Sequence, residues 1–157
     1  MFIWFAVLSA VFVAVVFRSP TIDHRTVVVG SLAPLVEAAV GGPRVLHSVV
    51  GAVAIMGVVM VATRNSRLLR RRLLGVPIGL MCHLVLDGSF ARTDVFWWPV
   101  SGFDFAPGQI PEVSHLGVSL GLEVIGLVVA VWSWRLFGLH HPARRRRLRD
   151  HGRLDLA

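Results

Sequence analysis

Five apolar stretches, separated by short polar or basic segments, dominate the pattern of this sequence. The first, residues 2–17, has no basic residue before it, so it lacks the positive leader of a secretory signal peptide and indicates a retained membrane helix. As a helix it rises only ~24 Å, against ~30 Å for the hydrocarbon core of a bilayer. Three further stretches, residues 45–63, 73–90 and 114–139, also predict membrane spans.

The remaining stretch, residues 26–43, reads "TVVVGSLAPLVEAAVGGP" and is interrupted by Gly30, Pro34 and Glu37. Irregular backbone at membrane depth requires surrounding protein or a wet cavity, which favours a short re-entrant or broken helix; a full fifth span is the alternative. The pattern therefore predicts an all-α fold, a polytopic membrane helical bundle of four spans plus a short re-entrant or fifth helix.

Composition and charge agree with a membrane location. Hydrophobic residues make up 55% of the chain, and the mean hydropathy is +0.70. The net charge of +7 comes from sixteen arginines without a lysine, of which five lie in residues 64–72 and six in residues 141–153. Both clusters adjoin apolar runs, so they indicate cytoplasmic segments that contact anionic lipid rather than nucleic acid. We expect a bundle over residues 1–140, a basic tail without packed structure over residues 141–157, and both termini in the cytoplasm.

With that topology, most acids and histidines outside the tail fall near the outer ends of the spans. They are Asp23, His24, Glu37, His47, His83, Asp87, Asp94, Asp104, Glu112 and His115. The loop over residues 91–113 carries "VFWWP", whose tryptophans are typical of a membrane interface. The single cysteine, Cys82, excludes an internal disulfide and a thiolate zinc site.

His83 and Asp87 are four residues apart, so a helix places them on one face. Because a carboxylate in a membrane span costs at least ~2.5 kcal/mol, we expect Asp87 to have a partner inside the bundle. That partner is a metal ion, Arg92 or another helix; in the last case the pair is only a structural hydrogen bond. His47 and His115 begin the flanking spans at the same level.

Histidines and carboxylates that converge between spans form the ligand set of zinc or a similar divalent metal, with water completing the coordination. Such an ion lowers the pKa of bound water toward ~7 and favours hydrolysis. Glu37 and Asp87 are the candidate catalytic groups, although Glu37 could instead pair with Arg25 or Arg44. Glu123 is expected to be a buried, proton-bearing carboxyl below His115, or an acceptor that supports a metal ligand without binding the ion itself. The candidate metal ligands are His47, His83, Asp87 and Glu37, with Asp23, His24 and His115 in reserve.

The motifs "DHRTVVVGSLAPLVE", "RVLHSVVG", "HLVLDGSF" and "VFWWPVSGFDF", in this order, resemble the YdjM-like family of inner-membrane proteins described as metal-dependent hydrolases. The resemblance aligns the family's motif residues with four pairs in this chain: Pro34 and Glu37, His47 and Ser48, His83 and Asp87, Trp98 and Pro99. One departure is Leu35, which stands where the family pattern has an aspartate directly after the proline.

These patterns predict a membrane-bound, metal-dependent hydrolase that acts at the outer face on a phosphoester or acyl ester of a lipid-like substrate. One alternative is a non-enzymatic small membrane subunit or scaffold whose histidines and aspartates form interhelical hydrogen bonds. Another is a transporter or proton relay through Glu37, Asp87 and Glu123. The sequence leaves the substrate and the oligomeric state open.

Overall fold

The computed structural model describes residues 1–19, 21–41, 45–91, 93–100, 102 and 116–154. These residues form helices and turns without a strand, which confirms the all-α prediction. The helices are α1 (Phe2–Phe17), α2 (His24–Gly41), α3 (Val49–Ala62), α4 (Arg67–Leu73), α5 (Gly75–Leu86), α6 (Thr93–Phe96), α7 (Leu116–Leu136) and α8 (Pro142–His151). Two 3₁₀ turns, Val45–His47 and Ser89–Ala91, precede α3 and α6.

Helices α2 and α5 form the centre of the bundle and touch backbone to backbone. Gly30 faces the carbonyl of Val76, and Gly79 faces the carbonyl of Val27, so closely that a methyl group on either glycine would overlap the oxygen. Small residues permit this approach, as in membrane helix pairs. The two helices run in the same direction, because Gly75 lies against the start of α2 while His83 bonds farther along it.

The bundle has two chemically different ends. At the first, which we call the arginine end, the Thr26 hydroxyl donates to the carbonyl of Arg72 at 2.7 Å. At the second, the histidine end, the carboxylate of Glu37 accepts from the amide of Leu46 at 3.0 Å. Helix α2 therefore connects the two ends of the bundle as one continuous α-helix, rather than as a broken helix. It is not the described helix that is long and apolar enough to cross a membrane, so a full fifth span stays a prediction. Pro34 is buried within α2.

The first helix begins at the histidine end, since the ring of Phe5 stacks on His83. The chain returns to the arginine end after α8, where the carbonyl of Gly152 accepts from the amide of His24 at 2.8 Å. The described ends of the chain thus lie at opposite ends of the bundle, and this arrangement disagrees with the prediction that both termini share one side. The physical reason is the complete passage of α2, which adds one crossing of the bundle.

Among the described residues, one helix is both long and apolar enough to cross a membrane, Gly117–Leu136, with a mean hydropathy of 1.7. The prediction of four such spans is therefore not confirmed. Two other apolar helices, Phe2–Phe17 and Val49–Ala62, are shorter than a standard span. In the second case the helix starts late, because the Ser48 side chain accepts from the amide of Gly51 at 2.9 Å and caps it.

Large apolar side chains are widely exposed on this bundle, and several polar side chains are buried. Side chains such as Val118, Val128 and Val131 on α7 are about three-fifths exposed, whereas His83 and Ser31 are fully buried. Monomeric soluble proteins rarely expose a continuous apolar surface of this kind. The described residues therefore present apolar surface outward and place many of their polar groups between helices.

The basic tail differs from its prediction because residues 142–151 form α8. Pro142 occupies the first turn, where its missing amide hydrogen costs nothing, and Gly152 ends the helix in a left-handed conformation with φ 67°. Arginine is also a good helix former. The Arg25 guanidinium donates to the carbonyl of Arg149 at 2.6 Å and holds α8 against the arginine end.

Candidate metal centre

Helix α5 supplies His83 from its last turn and Asp87 at its C-cap, as the four-residue spacing predicts. The Nδ1 atom of His83 lies 2.7 Å from the carbonyl oxygen of Ser31. A carbonyl only accepts, so Nδ1 carries the proton and Nε2 carries a lone pair. Nε2 is buried and has no hydrogen-bond partner among the described residues. A buried acceptor without a donor is costly, and a metal ion would satisfy it.

His47 reaches the same place from the 3₁₀ turn before α3. Its Nδ1 atom lies 3.2 Å from Oε2 of Glu37, and the Glu37 carboxylate also accepts from the amide of Leu46. This contact places a proton on Nδ1 and directs the lone pair on Nε2 away from Glu37. Carboxylates commonly hold metal-binding histidines in this way. Glu37 therefore orients His47 rather than joining the cluster described next.

His47, His83 and Asp87 offer one ligand atom each, and these atoms all lie within 4.8 Å of one another. The two imidazole rings meet edge to face with centroids 5.4 Å apart. Ligands ~2.1 Å from a tetrahedral ion are roughly 3.4 Å apart, so the three side chains need to move inward by about 1 Å to share one ion. Asp87 is only partly buried and accepts from the Ser89 hydroxyl at 2.5 Å, which leaves it able to adjust.

Two residues that the sequence did not single out support His83. Phe5 covers one face of its ring, with centroids 4.0 Å apart and planes inclined by 28°. The Ser31 backbone fixes its tautomer. A backbone carbonyl carries no sequence signal, and Phe5 is one of several aromatic residues in an apolar run. Both contacts could be found only from the packing of three helices.

Glu123 has a different role from the one expected. Its carboxylate accepts from the amides of Ile3 and Trp4 at 3.3 and 3.1 Å, and it lies 4.0 Å from the amino group of Met1. These amides belong to the first turn of α1, which has no hydrogen-bond acceptor within its own helix. Glu123 therefore caps α1 from α7 and holds the helix that carries Phe5.

Asp23 and His24 do not belong to the site. Asp23 pairs with Arg25 at 2.7 Å, and Nδ1 of His24 lies 3.0 Å from the carbonyl of Gly152, all at the arginine end. Burial alone would raise the pKa of the Asp23 carboxyl, but the hydrogen bonds and charge of Arg25 outweigh it and hold that pKa below its ordinary value. Both candidate ligands are therefore corrected to structural roles.

Two further expectations concern the loop at the histidine end. His115, Arg92, Asp104 and Glu112 lie outside the described residues. Phe96 packs on the cluster of Ala52, Leu80 and Leu84, and the next residue, Trp97, is half exposed. The expectation that Trp97 lies at a membrane interface stays a prediction.

Two nitrogen ligands and one oxygen ligand form a donor set that suits zinc and other borderline divalent metals. The described cluster supplies three ligands, which leaves room for a water molecule in a four-coordinate shell. Comparison of the chain with protein-family models, with curated proteins and with solved structures finds no match. The resemblance to the YdjM-like family accordingly stays a prediction from the motifs.

Proposed function

We propose that this chain is a multi-pass membrane protein that holds a divalent metal ion, zinc in the first instance, between His47, His83 and Asp87. We propose further that it hydrolyses a phosphoester or acyl ester of a lipid-like substrate there. The observation that carries the proposal is the buried Nε2 of His83, which has no hydrogen-bond partner among the described residues, in a side chain that clusters with His47 and Asp87.

The outward apolar surface supports a membrane location for more of the bundle than α7 alone. Helices α1 and α3 are shorter than ~20 residues, yet their apolar side chains are widely exposed. A thinned bilayer accommodates short spans at a modest energetic cost. The positive-inside rule assigns the arginine end to the cytoplasm, so the proposal puts the metal centre and the first residues on the outer side.

Different residues of the site have different roles, namely binding the ion, holding a ligand in place and excluding water. Nε2 of His83 and the carboxylate of Asp87 bind, while Glu37 holds a proton at Nδ1 of His47 and keeps its ring in place. When bound, the ion supplies Lewis acidity and makes hydroxide available near neutral pH. Phe5 excludes water from one face of His83.

The alternative, a non-enzymatic scaffold, is favoured by one observation. His83 and His47 already make hydrogen bonds that join α5 to α2 and the 3₁₀ turn to α2. Such contacts stabilise a bundle without any metal. The two hypotheses differ in what happens when Nε2 of His83 alone is removed.

His83→Asn makes that distinction, because the asparagine amide can still donate to the Ser31 carbonyl but has no atom at the Nε2 position. For the metal proposal we expect one zinc per wild-type chain by elemental analysis in detergent, and background zinc in H83N with unchanged helical content. His141→Ala removes an exposed histidine at the arginine end and is the matched control.

Asp87→Asn provides a second variant of nearly equal volume, in case H83N fails to fold. Zinc should again fall to background while the helical signal persists. A wild-type protein without metal, or full zinc content in both variants, would leave only the scaffold hypothesis.

A further inference from the structure

An apolar groove of about 650 Å³ runs along α5, between α1 and α3. One stripe of α5 forms its floor, and α1 and α3 form its walls with Trp132 of α7. The floor residues are Pro77, Ile78, Met81, Cys82, Val85 and Leu86. The groove is therefore a gap between helices at the depth of the apolar bundle.

The groove ends beside the proposed metal centre. Leu86 is the last helical residue of α5, and Asp87 follows it as the C-cap. His83 lies about 60° and Asp87 about 100° around the helix axis from Leu86, so both side chains are close to this end of the groove. A molecule that fills the groove and bends over the end of α5 brings its polar part to Asp87.

The length and volume of the groove indicate which kind of molecule it can hold. From Pro77 to Leu86 the floor is ~14 Å long at 1.5 Å per residue, about half of a ~30 Å hydrocarbon core. A partner helix, ~10–12 Å across with its side chains, would occupy at least about 1,100 Å³ over this length, more than the groove holds. A non-helical peptide requires hydrogen-bonding groups that an apolar lining does not offer. A single hydrocarbon chain requires neither.

We propose that the groove holds one acyl chain of a bilayer phospholipid, with the headgroup over the end of α5 beside Asp87. The proposal that an acyl chain binds here rests on the groove and not on the metal centre. The identification of that phospholipid as the substrate rests on the proposed function. The proposal narrows the substrate class to a lipid whose scissile ester lies at the headgroup end of an acyl chain.

Photocrosslinking in the membrane tests the proposal. The full chain is reconstituted in vesicles of phosphatidylcholine and phosphatidylglycerol that contain phosphatidylcholine with a diazirine at mid-chain. Adducts are mapped by mass spectrometry after illumination. We expect adducts at Met56 and Met81, which line the groove, to exceed those at Val124 and Val128 of α7 several-fold, because a chain held in the groove stays close to its walls.

Met81→Trp fills the groove, and Val128→Trp places the same indole on an exposed face of α7 as a matched control. We expect M81W to reduce the adduct at Met56 to the level of Val124 and V128W to leave it unchanged. The wild-type map decides even if M81W misfolds. Equal labelling of groove and α7 positions would overturn the proposal, as would labelling of Met56 and Met81 below that of α7, the result expected when protein rather than lipid fills the groove.

Zinc content measured on the same samples separates this proposal from the proposed function. Groove-specific adducts in a protein without zinc support the acyl-chain site and remove only its hydrolytic role. Zinc at one per chain with uniform labelling supports the metal centre and overturns the acyl-chain site.

Discussion

The two ends of the bundle both bury an acid and a histidine, yet they use them differently. At the arginine end both oxygens of Asp23 are bound by Arg25, at 2.9 and 2.7 Å, and His24 bonds the backbone after α8. At the histidine end the ring of His83 is fixed on one side and presents a buried lone pair on the other. The first arrangement pairs its acid with an arginine, and the second gathers an acid and two histidines whose ligand atoms lie within 4.8 Å of one another.

The same residue types at a similar depth therefore do not define a site by themselves. What separates the two ends is the partner of the acid: Arg25 binds both oxygens of Asp23, whereas Asp87 lies in a cluster with His47 and His83. Variants that change one end while leaving the other intact test whether this difference is real.

Glu37→Gln is expected to have the largest effect, because it removes the charge that holds a proton on Nδ1 of His47 and keeps the side-chain shape. We expect zinc affinity to fall about 10–100-fold, the usual cost of losing such a partner, with helical content preserved. Competition with a fluorescent chelator measures the change. Unaltered affinity would mean that Glu37 supports only the turn at Leu46.

Asp23→Asn is expected to act on stability alone. Loss of the charged hydrogen bonds to Arg25 should lower the free energy of unfolding by about 1–2 kcal/mol and speed hydrogen exchange in α8, while zinc content stays at the wild-type level. The exposed Asp150→Asn on α8 is the control. Lower zinc content in D23N would contradict the separation of the two ends.

The contribution of Asp23 to the stability of the folded protein also depends on pH. The folded protein holds the pKa of this carboxyl below its ordinary value, so its stabilisation is complete above the unfolded pKa of ~3.9. It is lost as the pH falls through the lower folded pKa. Thermal melts of wild type should therefore lose stability on acidification below about pH 4, and D23N should lack that part of the loss.

Glu123→Gln is expected to have the smallest effect. The variant keeps an acceptor for the first amides of α1 but loses the negative charge at a helix N-terminus, worth about 0.5–1 kcal/mol. For a chain of this size that corresponds to a lowering of the melting temperature by roughly 1–4 °C. A loss of zinc binding as large as that of E37Q would show that Glu123 acts in the site itself.

Sequence reasoning located part of the site because helical periodicity is local. The spacing of His83 and Asp87 alone placed both on one face, and the position of His47 at the start of the apolar stretch over residues 45–63 predicted it at the same level. Neither inference required knowledge of how the helices pack.

The errors arose where the answer depended on a distant segment. Hydropathy could not decide whether the helix that contains Pro34 was complete, and that decision alone moves Asp23 and His24 from one end to the other. Glu123 was recognised as unusual in an apolar helix, but its partners are amides more than a hundred residues earlier. Helix α8 was not predicted, because the many arginines suggested a solvated segment without regular structure. Pro142 and Gly152 were the residues that marked the start and the end of this helix.

The contact of Gly79 with the α2 backbone has a consequence for recognising distant relatives. Gly79, His83 and Asp87 recur at intervals of four, so one side of α5 carries a spacer, an imidazole and an acid in register. The aliphatic residues of α5 can be exchanged for one another without altering this contact. A larger residue at Gly79 would instead push the main chains of α2 and α5 apart and separate His83 from Ser31. A glycine–x₃–histidine–x₃–aspartate pattern is therefore the feature by which a diverged sequence with the same contact between α2 and α5 could be recognised.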